Sequence, residues 1–529
     1  MAPATSAQST SAQSTSAQST SAQSTSAQST SPTRATTLVT GVTGYVGGRL
    51  VTELVDRGTQ VRVLTRSTDR IRERPWFGDV EVIEGDANDP DTLARALTGV
   101  DTAYYLIHAM GKGRRFVRRD RRTATRFARA AERAHVGRIV YLGGIIPTEA
   151  AKLSPHLRSR EEVGQIFLGS GVPTVALRAA VIIGSGSTSF EMLRYLTERL
   201  PVMTTPRWVR SRIQPIAIRD VLWYLAECSR LPPETNRTFD IGGPEILTYE
   251  EMMRRFAAIE GLRRRWIVPL PVLSPKLSSY WVGLVTPVPK GIAKPLVASL
   301  RYEVVCHDDD IAGHLGEPPG GRLGFDAAAS LALERTRGLA VALGWSSAAD
   351  AAVATPSDPL PTDPAWSGGS LYVEQHSRPV KASRDVLWST IEGMGGDRGW
   401  HHTTVAWQLR GLVDRLAGGT GARRGRRDPD RLRVGDRVDW WRVEVREPDR
   451  LLRLHAEMRL PGNAWLELQI DDDGTSRRLV ERSVFVPRGL AGHAYWWLLK
   501  PFHGLVYEIM LRDVVRTAES ACTAIPAGR

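Results

Sequence analysis

Three glycines, Gly41, Gly44 and Gly47, stand at the spacing GxxGxxG in the run TTLVTGVTGYVGGRLVTELVDRG, residues 36–58. Each acts through the side chain it lacks. Gly41 lets the chain turn sharply, Gly44 lets backbone N–H groups approach a phosphate with no Cβ in the way, and Gly47 lets a helix lie close to a sheet. With Thr43, Tyr45 and Val46 beside them they form a candidate cradle for the pyrophosphate of a dinucleotide. Without a ligand the same pattern is a glycine-rich turn. Further on, Arg66 in Thr65-Arg66-Ser67 stands where an NAD site usually carries an acid for the ribose hydroxyls. A guanidinium there pairs with a 2′-phosphate, which favours NADP(H) over NAD(H); the alternative is a surface arginine. Asp86 and Ala87 are placed to touch adenine, unless Asp86 caps the next helix. Leu106 and His108 would flank the nicotinamide ribose, His108 as a ligand contact or as a structural histidine, and Gly143 stands further along at the same edge.

These positions make sense only on a particular scaffold. Candidate strands at 36–40, 60–65, 80–84, 102–107, 138–142, 174–183 and 238–241 alternate with helical stretches. That alternation predicts an α/β fold, a parallel sheet doubly wound by helices, with ligands at the carboxyl ends of the strands. Each residue singled out above ends or follows one of those strands. Residues 187–200 and 249–259 read as helices of a substrate lobe, the second with Thr248 and Glu251 in a capping-box pattern. Residues 270–297, rich in Pro, Trp and Leu, would wall a greasy pocket. The run Asp308-Asp309-Asp310 with His307 and His314 matches no metal-ligand spacing and reads as a helix start.

Composition bounds the rest. The 529 residues suit two or three domains, and 42% hydrophobic content suits packed cores. Residues 1–35, with SAQST repeated five times, offer no apolar face and are expected to be disordered. Three dispersed cysteines form no CxxC or metal spacing, and no apolar run of membrane-spanning length or signal-peptide type occurs, so a cytoplasmic protein without a bound metal is expected. Only seven of the 70 basic residues behind the net charge of +13 are Lys, and the Arg are mostly interspersed with acids. The bland account is genome composition; the sharper one is an anionic partner.

The motifs Thr40-Gly41-Val42-Thr43-Gly44-Tyr45-Val46-Gly47, Gly85-Asp86, Arg178-Ala179-Ala180, Gln214-Pro215-Ile216 with Asp220-Val221, and Ile241-Gly242-Gly243-Pro244 resemble the extended and atypical short-chain dehydrogenase/reductases. The resemblance covers about residues 36–350 and is nearest to the NAD(P)H-binding branch with NmrA-type sensors, isoflavone-reductase-like enzymes and the complex I NAD(P)H-binding accessory subunit. Active members place a Ser after the fifth strand and Tyr-x-x-x-Lys on the next helix, where the lysine lowers the tyrosine pKa. Here Gly143 and Gly144 stand near the serine position, and His156 and Arg160 take the Tyr and Lys positions at the same spacing. The resemblance thus implies His156 as acid–base group and Arg160 as a holder of the nicotinamide ribose, unless both merely cap and solvate a helix. Tyr104, Tyr105 and Tyr141 lie within strands and are poorer substitutes for the missing phenol.

After a linker at 351–369 composition shifts: nine of the fifteen Trp follow residue 365. A strand (371–376), a helix (383–391), strands at 434–445, 451–458, 464–471 and 477–485, and a long final helix (489–523) resemble the START-like helix-grip superfamily, which typically encloses an apolar cavity. Trp440-Trp441-Arg442-Val443, Ala456-Glu457-Met458, Pro461-Gly462-Asn463-Ala464-Trp465-Leu466 and Tyr495-Trp496-Trp497 further resemble a bacterial domain of unknown function found behind such NAD(P)-binding domains. Glu457 is expected either as a buried acid with raised pKa or paired with a nearby Arg, and Trp440, Trp465 and Trp497 either line a cavity or form core. The arginine-rich loop 421–427 lacks interleaved aromatics, so no nucleic-acid partner is expected; with the amphipathic tail at 495–511 it leaves weak membrane-surface association open. The sequence therefore points to an NADP(H)-dependent oxidoreductase acting on an apolar carbonyl, enone or quinone. The alternative is an NAD(P)H-binding sensor or scaffold without turnover, whose C-terminal domain binds a hydrophobic ligand. Oligomeric state stays open.

Overall fold

The computed structural model describes residues 35–108, 115–147, 153–270, 285–342, 363–364, 366–398, 400, 426–472, 474 and 476–524. Its first sheet holds seven parallel strands: β1 (Thr36–Thr40), β2 (Gln60–Thr65), β3 (Glu81–Glu84), β4 (Val100–Tyr105), β5 (Arg138–Gly144), β6 (Thr174–Ala179) and β7 (Arg237–Ile241), in the order β7-β6-β5-β4-β1-β2-β3. Strand order reverses at β1, so the crevice between the carboxyl ends of β1 and β4 is the expected ligand position. Both sheet faces are covered. Val39, Val63, Val140, Val175 and Phe239 pack on one side with Leu50 and Val51 of helix α1 (Tyr45–Asp56). Leu38, Ala103, Ile139 and Ala176 pack on the other with Leu93 of α2 (Pro90–Leu97), Phe127 of α3 (Arg115–Arg133) and Phe167 of α4 (Pro155–Leu168). The α/β fold expected from the alternation is the observed one.

Several boundaries moved for local reasons. The run expected as one strand at 174–183 breaks after Ala179, and Ile182–Ile183 instead pairs with Ile216–Ala217. Asp89, not Asp86, caps α2: its carboxylate accepts the Thr92 N–H at 3.0 Å, while Asp86 folds back onto its own loop and accepts the Asn88 N–H at 2.8 Å. The lobe helix α5 (Thr188–Arg199) and, after α6 (Ile218–Glu227), the helix α7 (Tyr249–Ile259) form as expected, α7 with its capping box complete. The acids at 308–310 are engaged in the fold, where the Asp309 carboxylate pairs with Arg322 at 2.7 Å. His307 Nδ1 lies 2.9 Å from Asp240 Oδ2. Residues 271–284, half of the 270–297 run, lie outside the described residues, as do residues 421–425 of the arginine loop.

The second sheet is antiparallel. Its strands are β8 (Tyr372–Pro379), β9 (Arg437–Val438), β10 (Trp441–Glu447), β11 (Leu451–Ala456), β12 (Gly462–Asp472) and β13 (Arg477–Pro487), ordered β8-β13-β12-β11-β10-β9. Helix α8 (Arg384–Glu392) and the 36-residue α9 (Gly489–Ala524) pack on it, burying Leu387, Tyr507, Met510 and Val514 against Leu466, Leu468 and Leu479. The strand expected at 434–445 is interrupted by Asp439, which adopts φ 56° and accepts the Trp400 indole N–H at 2.7 Å. Glu457 takes the paired alternative, 2.9 Å from the Arg437 guanidinium. Trp440 and Trp465 are buried, but Trp497 is 60% exposed, which corrects its placement as core or cavity lining.

Glu481 sits on the α9-facing side of β13, fully buried, with neither carboxylate oxygen hydrogen-bonded. Burial, reinforced by the nearby Glu374, holds its pKa well above the ordinary 4.5. A carboxyl whose pKa rises on folding costs nothing below the unfolded value and destabilises increasingly as pH rises above it. Glu481→Gln is therefore expected to stabilise the protein at neutral pH by about 1–3 kcal/mol, the penalty for an unsatisfied buried charge. Urea unfolding followed by Trp fluorescence would show this gain shrinking as pH falls toward 4.5. A gain independent of pH would contradict the assignment.

Candidate functional site

Gly41 leaves β1 at φ 70°, and a Cβ there would lie 2.5 Å from the Leu106 carbonyl oxygen. Only glycine combines that backbone with that approach between β1 and the end of β4. Gly47 is equally constrained, since its Cβ would meet the Gly41 carbonyl at 2.4 Å. The Gly44 N–H closes the turn on Gly41 O at 2.9 Å, leaving Gly44 itself exposed as the N-cap of α1 with no side chain capping the helix. An uncapped first turn behind a tight glycine loop is suited to an anionic oxygen, with Thr43 half-buried on the loop beside it. The residues present thus fit a dinucleotide pyrophosphate.

Tyr45 and Val46 supply backbone to that turn, but the Tyr45 side chain points elsewhere. Its ring lies beneath the Arg49 guanidinium, 4.2 Å away, and burial pushes its phenol pKa up. Arg49 in turn makes a bidentate pair with Asp363, at 3.0 and 2.7 Å, with both side chains almost wholly buried. It also donates to the Ser185 carbonyl at 3.3 Å. Arg74 is buried nearby; burial lowers its pKa and the Asp363 carboxylate opposes that shift. A segment far along the chain therefore braces the phosphate-loop helix. The same segment continues over the lobe: the Trp366 carbonyl accepts the Tyr195 hydroxyl at 2.8 Å and the Gly368 N–H donates to Glu191 at 2.9 Å.

At the adenosine end, Arg66 is exposed just past β2 and close enough to Asp86 to help lower that carboxyl's pKa, after the larger effect of two hydrogen bonds from Asn88. Ala87 is buried beside them. At the other end, the Leu106 N–H donates to Thr40 Oγ1 at 3.2 Å, tying the β4 exit to β1.

Three side chains from three elements meet past β4. His156 stands in the first turn of α4, which begins at Pro155 behind the Ser154 cap. Its Nδ1 is 3.3 Å from Nε2 of His108, and His108 Nδ1 is 3.5 Å from Asp120 Oδ2 on α3. Asp120 is held by the Ser159 hydroxyl, which donates to the same oxygen at 3.0 Å. Burial, then His108, then Arg160 push the His156 pKa down to about 3. His108 is lowered too, by burial and Arg160, against the pull of Asp120. Both rings are neutral near pH 7. Because the Asp120 carboxylate faces His108 Nδ1, that nitrogen carries the proton; His108 Nε2 then accepts from His156 Nδ1–H, and His156 Nε2 is left as a free base.

Sequence reading placed His108 and His156 apart, one as a ribose contact and one as an acid–base group; the structure joins them and adds Asp120. Its signal was present: Phe116, Asp120, Ala124 and Phe127 share the buried face of α3, and Asp120 is the one acid in the run Arg118-Arg119-Asp120-Arg121-Arg122. Arg160 sits over the Tyr141 ring at 5.7 Å and lines a small crevice with Gly143, Gly144 and Arg178. Tyr141 is buried, its hydroxyl donating to the Arg160 carbonyl at 2.9 Å, so it does not replace the missing phenol.

Comparison with known proteins adds to this geometry. Residues 41–170 match the family model described as NAD(P)H-binding. The chain carries an NAD(P)H-binding domain. Residues 366–510 match the model of a protein of unknown function, DUF2867. Of curated proteins, a 3 beta-hydroxysteroid dehydrogenase/Delta 5-->4-isomerase of Mycobacterium tuberculosis is 42% identical over 77 residues, 14% of this chain and 20% of that protein, so the chain spans about a fifth of its length. A ceramide reductase of Caulobacter vibrioides is 28% identical over 240 residues, 44% of this chain and 73% of that protein. Among solved structures, the Citrobacter sp. triphenylmethane reductase complexed with NADP(H) is 20% identical, with a TM-score of 0.45 over 56% of this chain and 99% of that one. Among the described residues no helix is long and apolar enough to cross a membrane.

Proposed function

We propose that this chain is an NADP(H)-dependent reductase of an apolar carbonyl, enone or quinone compound, with His156 moving the proton. The observation that carries this reading is the chain Asp120–His108–His156, converging past β4 where Tyr-x-x-x-Lys would otherwise act. A ceramide reductase related over 240 residues supports it. When bound at the glycine cradle, the dinucleotide supplies hydride. The protein's share is to exclude water, orient the acceptor and handle one proton at His156 Nε2. Relayed through His108, that proton's charge is stabilised by Asp120. We further propose that the C-terminal domain, read as a helix grip, holds the apolar molecule. A panel of aldehydes, quinones and long-chain ketones, followed by loss of NADPH absorbance, tests turnover directly. Tight NADPH binding without consumption on any of them would favour the sensor reading, which the Gly143–Gly144 pair in place of the usual Ser also favours.

Cofactor choice has its own test. A charged hydrogen bond is worth about 1.5–3 kcal/mol, so Arg66→Ala is expected to weaken NADPH binding about 10- to 100-fold and leave NADH almost unchanged. Fluorescence titration with both dinucleotides measures this. Equal losses for the two would remove Arg66 from the 2′-phosphate site.

A further inference from the structure

The first half of α9 carries an apolar stripe that its own sheet does not cover. Leu490, Trp497, Leu498, Phe502 and Leu505 are 54% to 71% exposed. Ala491, Ala494 and Pro501 among them are exposed as well. At the helical period these positions fall within roughly 140° of the circumference and extend over about 22 Å. The opposite side is the one that packs, through Trp496, Tyr507 and Met510. The helix is therefore apolar on two faces, and the protein buries one. The tail read as amphipathic at 495–511 is thus buried on its inner face only.

The rim of the stripe is cationic. Arg488 and Lys500 are exposed beside it, and residues 484–507 contain no Asp or Glu. Its near end adjoins another exposed group: a Cβ on Gly489 would lie 3.4 Å from Leu262 Cδ2. From Leu262 the chain runs through exposed Arg263 and Arg264 to Trp266, 68% exposed, and Val268, 45% exposed. Val202, 58% exposed, lies opposite Trp266 in register. Residues 261–302 are likewise free of acids.

We propose that this face docks on an anionic lipid surface. Exposed Trp and Phe with Leu suit the headgroup–acyl boundary, Lys500 can extend its ammonium to the headgroups, and the basic rim supplies attraction, the first acid further along the helix, Glu508, being paired with Arg378. The proposal is independent of the catalytic reading.

Flotation of the full chain with vesicles tests it. Binding is expected to phosphatidylcholine vesicles containing phosphatidylglycerol at about 0.1 M salt, to be weak on phosphatidylcholine alone, and to fall at high salt. The double substitution Trp497→Glu, Phe502→Glu is expected to reduce the bound fraction about tenfold or more, and Arg488→Glu with Lys500→Glu to abolish the preference for anionic vesicles. All four side chains are exposed, and unchanged far-UV circular dichroism, thermal midpoint and NADPH titration would show the variants folded. No binding to anionic vesicles, or binding indifferent to the double substitution, overturns the proposal. A dimer seen by light scattering that the double substitution splits, without vesicle binding, would make a second copy the occupant instead.

Discussion

Replacing His156 with Phe is expected to lower kcat by about 10²- to 10⁴-fold, the usual range for a positioned acid–base group, with NADPH affinity unchanged. The ring is kept and the proton lost, so packing in the first turn of α4 should survive. His108→Phe and Asp120→Asn act through His156 and are expected to cost less, altering the pH profile before the maximum rate. The profile has a sign. His156 is a neutral base over the working range, with its pKa pushed to about 3. Reduction needs that ring to deliver a proton, and the protonated fraction grows tenfold for each unit the pH falls. The logarithm of the reductive kcat/KM should therefore fall with a slope of about −1 between roughly pH 5 and 8. In the oxidative direction the same base is ready, and the rate should be flat over that range. Activity that survives His156→Phe, or that vanishes with Tyr141→Phe alone, would locate the proton elsewhere.

Asp363→Ala should be the most damaging single change to stability. It takes the carboxylate away from Arg49 and from the field of Arg74, both guanidinium groups lying almost out of solvent. Deleting one partner of a buried pair typically costs about 3–5 kcal/mol, because the remaining charge stays desolvated. The loss should reach the dinucleotide as well. Arg49 also bonds the Tyr45 carbonyl, at 3.2 Å, so loosening it disturbs the first turn of α1. Thermal unfolding and NADPH titration of Asp363→Ala and Asp363→Asn would show both effects, smaller in the amide. A change under about 0.5 kcal/mol would mean the pair is incidental.

The glycine cradle was legible because its constraint is local: strand, turn and helix are contiguous, and each Cβ clash is between neighbours or across one strand pair. The α7 capping box was legible for the same reason. Asp120 and Asp363 were not. Asp120 finds His108 through the packing of α3 on α4, and Asp363 crosses some 314 positions of sequence to reach Arg49. A lone acid within an arginine run marks burial only once the apolar period of α3 is followed through it. Asp439 was missed differently: a strand pattern read straight through a residue whose positive φ breaks it. The role of the exposed half of α9 stayed open in the sequence because Trp and Leu at helical spacing look the same whether one face or two are apolar.

The clasp between residues 49 and 363 bears on how this protein can be divided. Composition invites a cut near residue 350, yet a fragment ending there would retain the nucleotide fold and forfeit the carboxylate that neutralises its innermost cation. Soluble yield from such a truncation would report a missing counterion rather than a failed topology. Extending the boundary past Gly368 would restore both the acid and the contacts that seat it on the lobe.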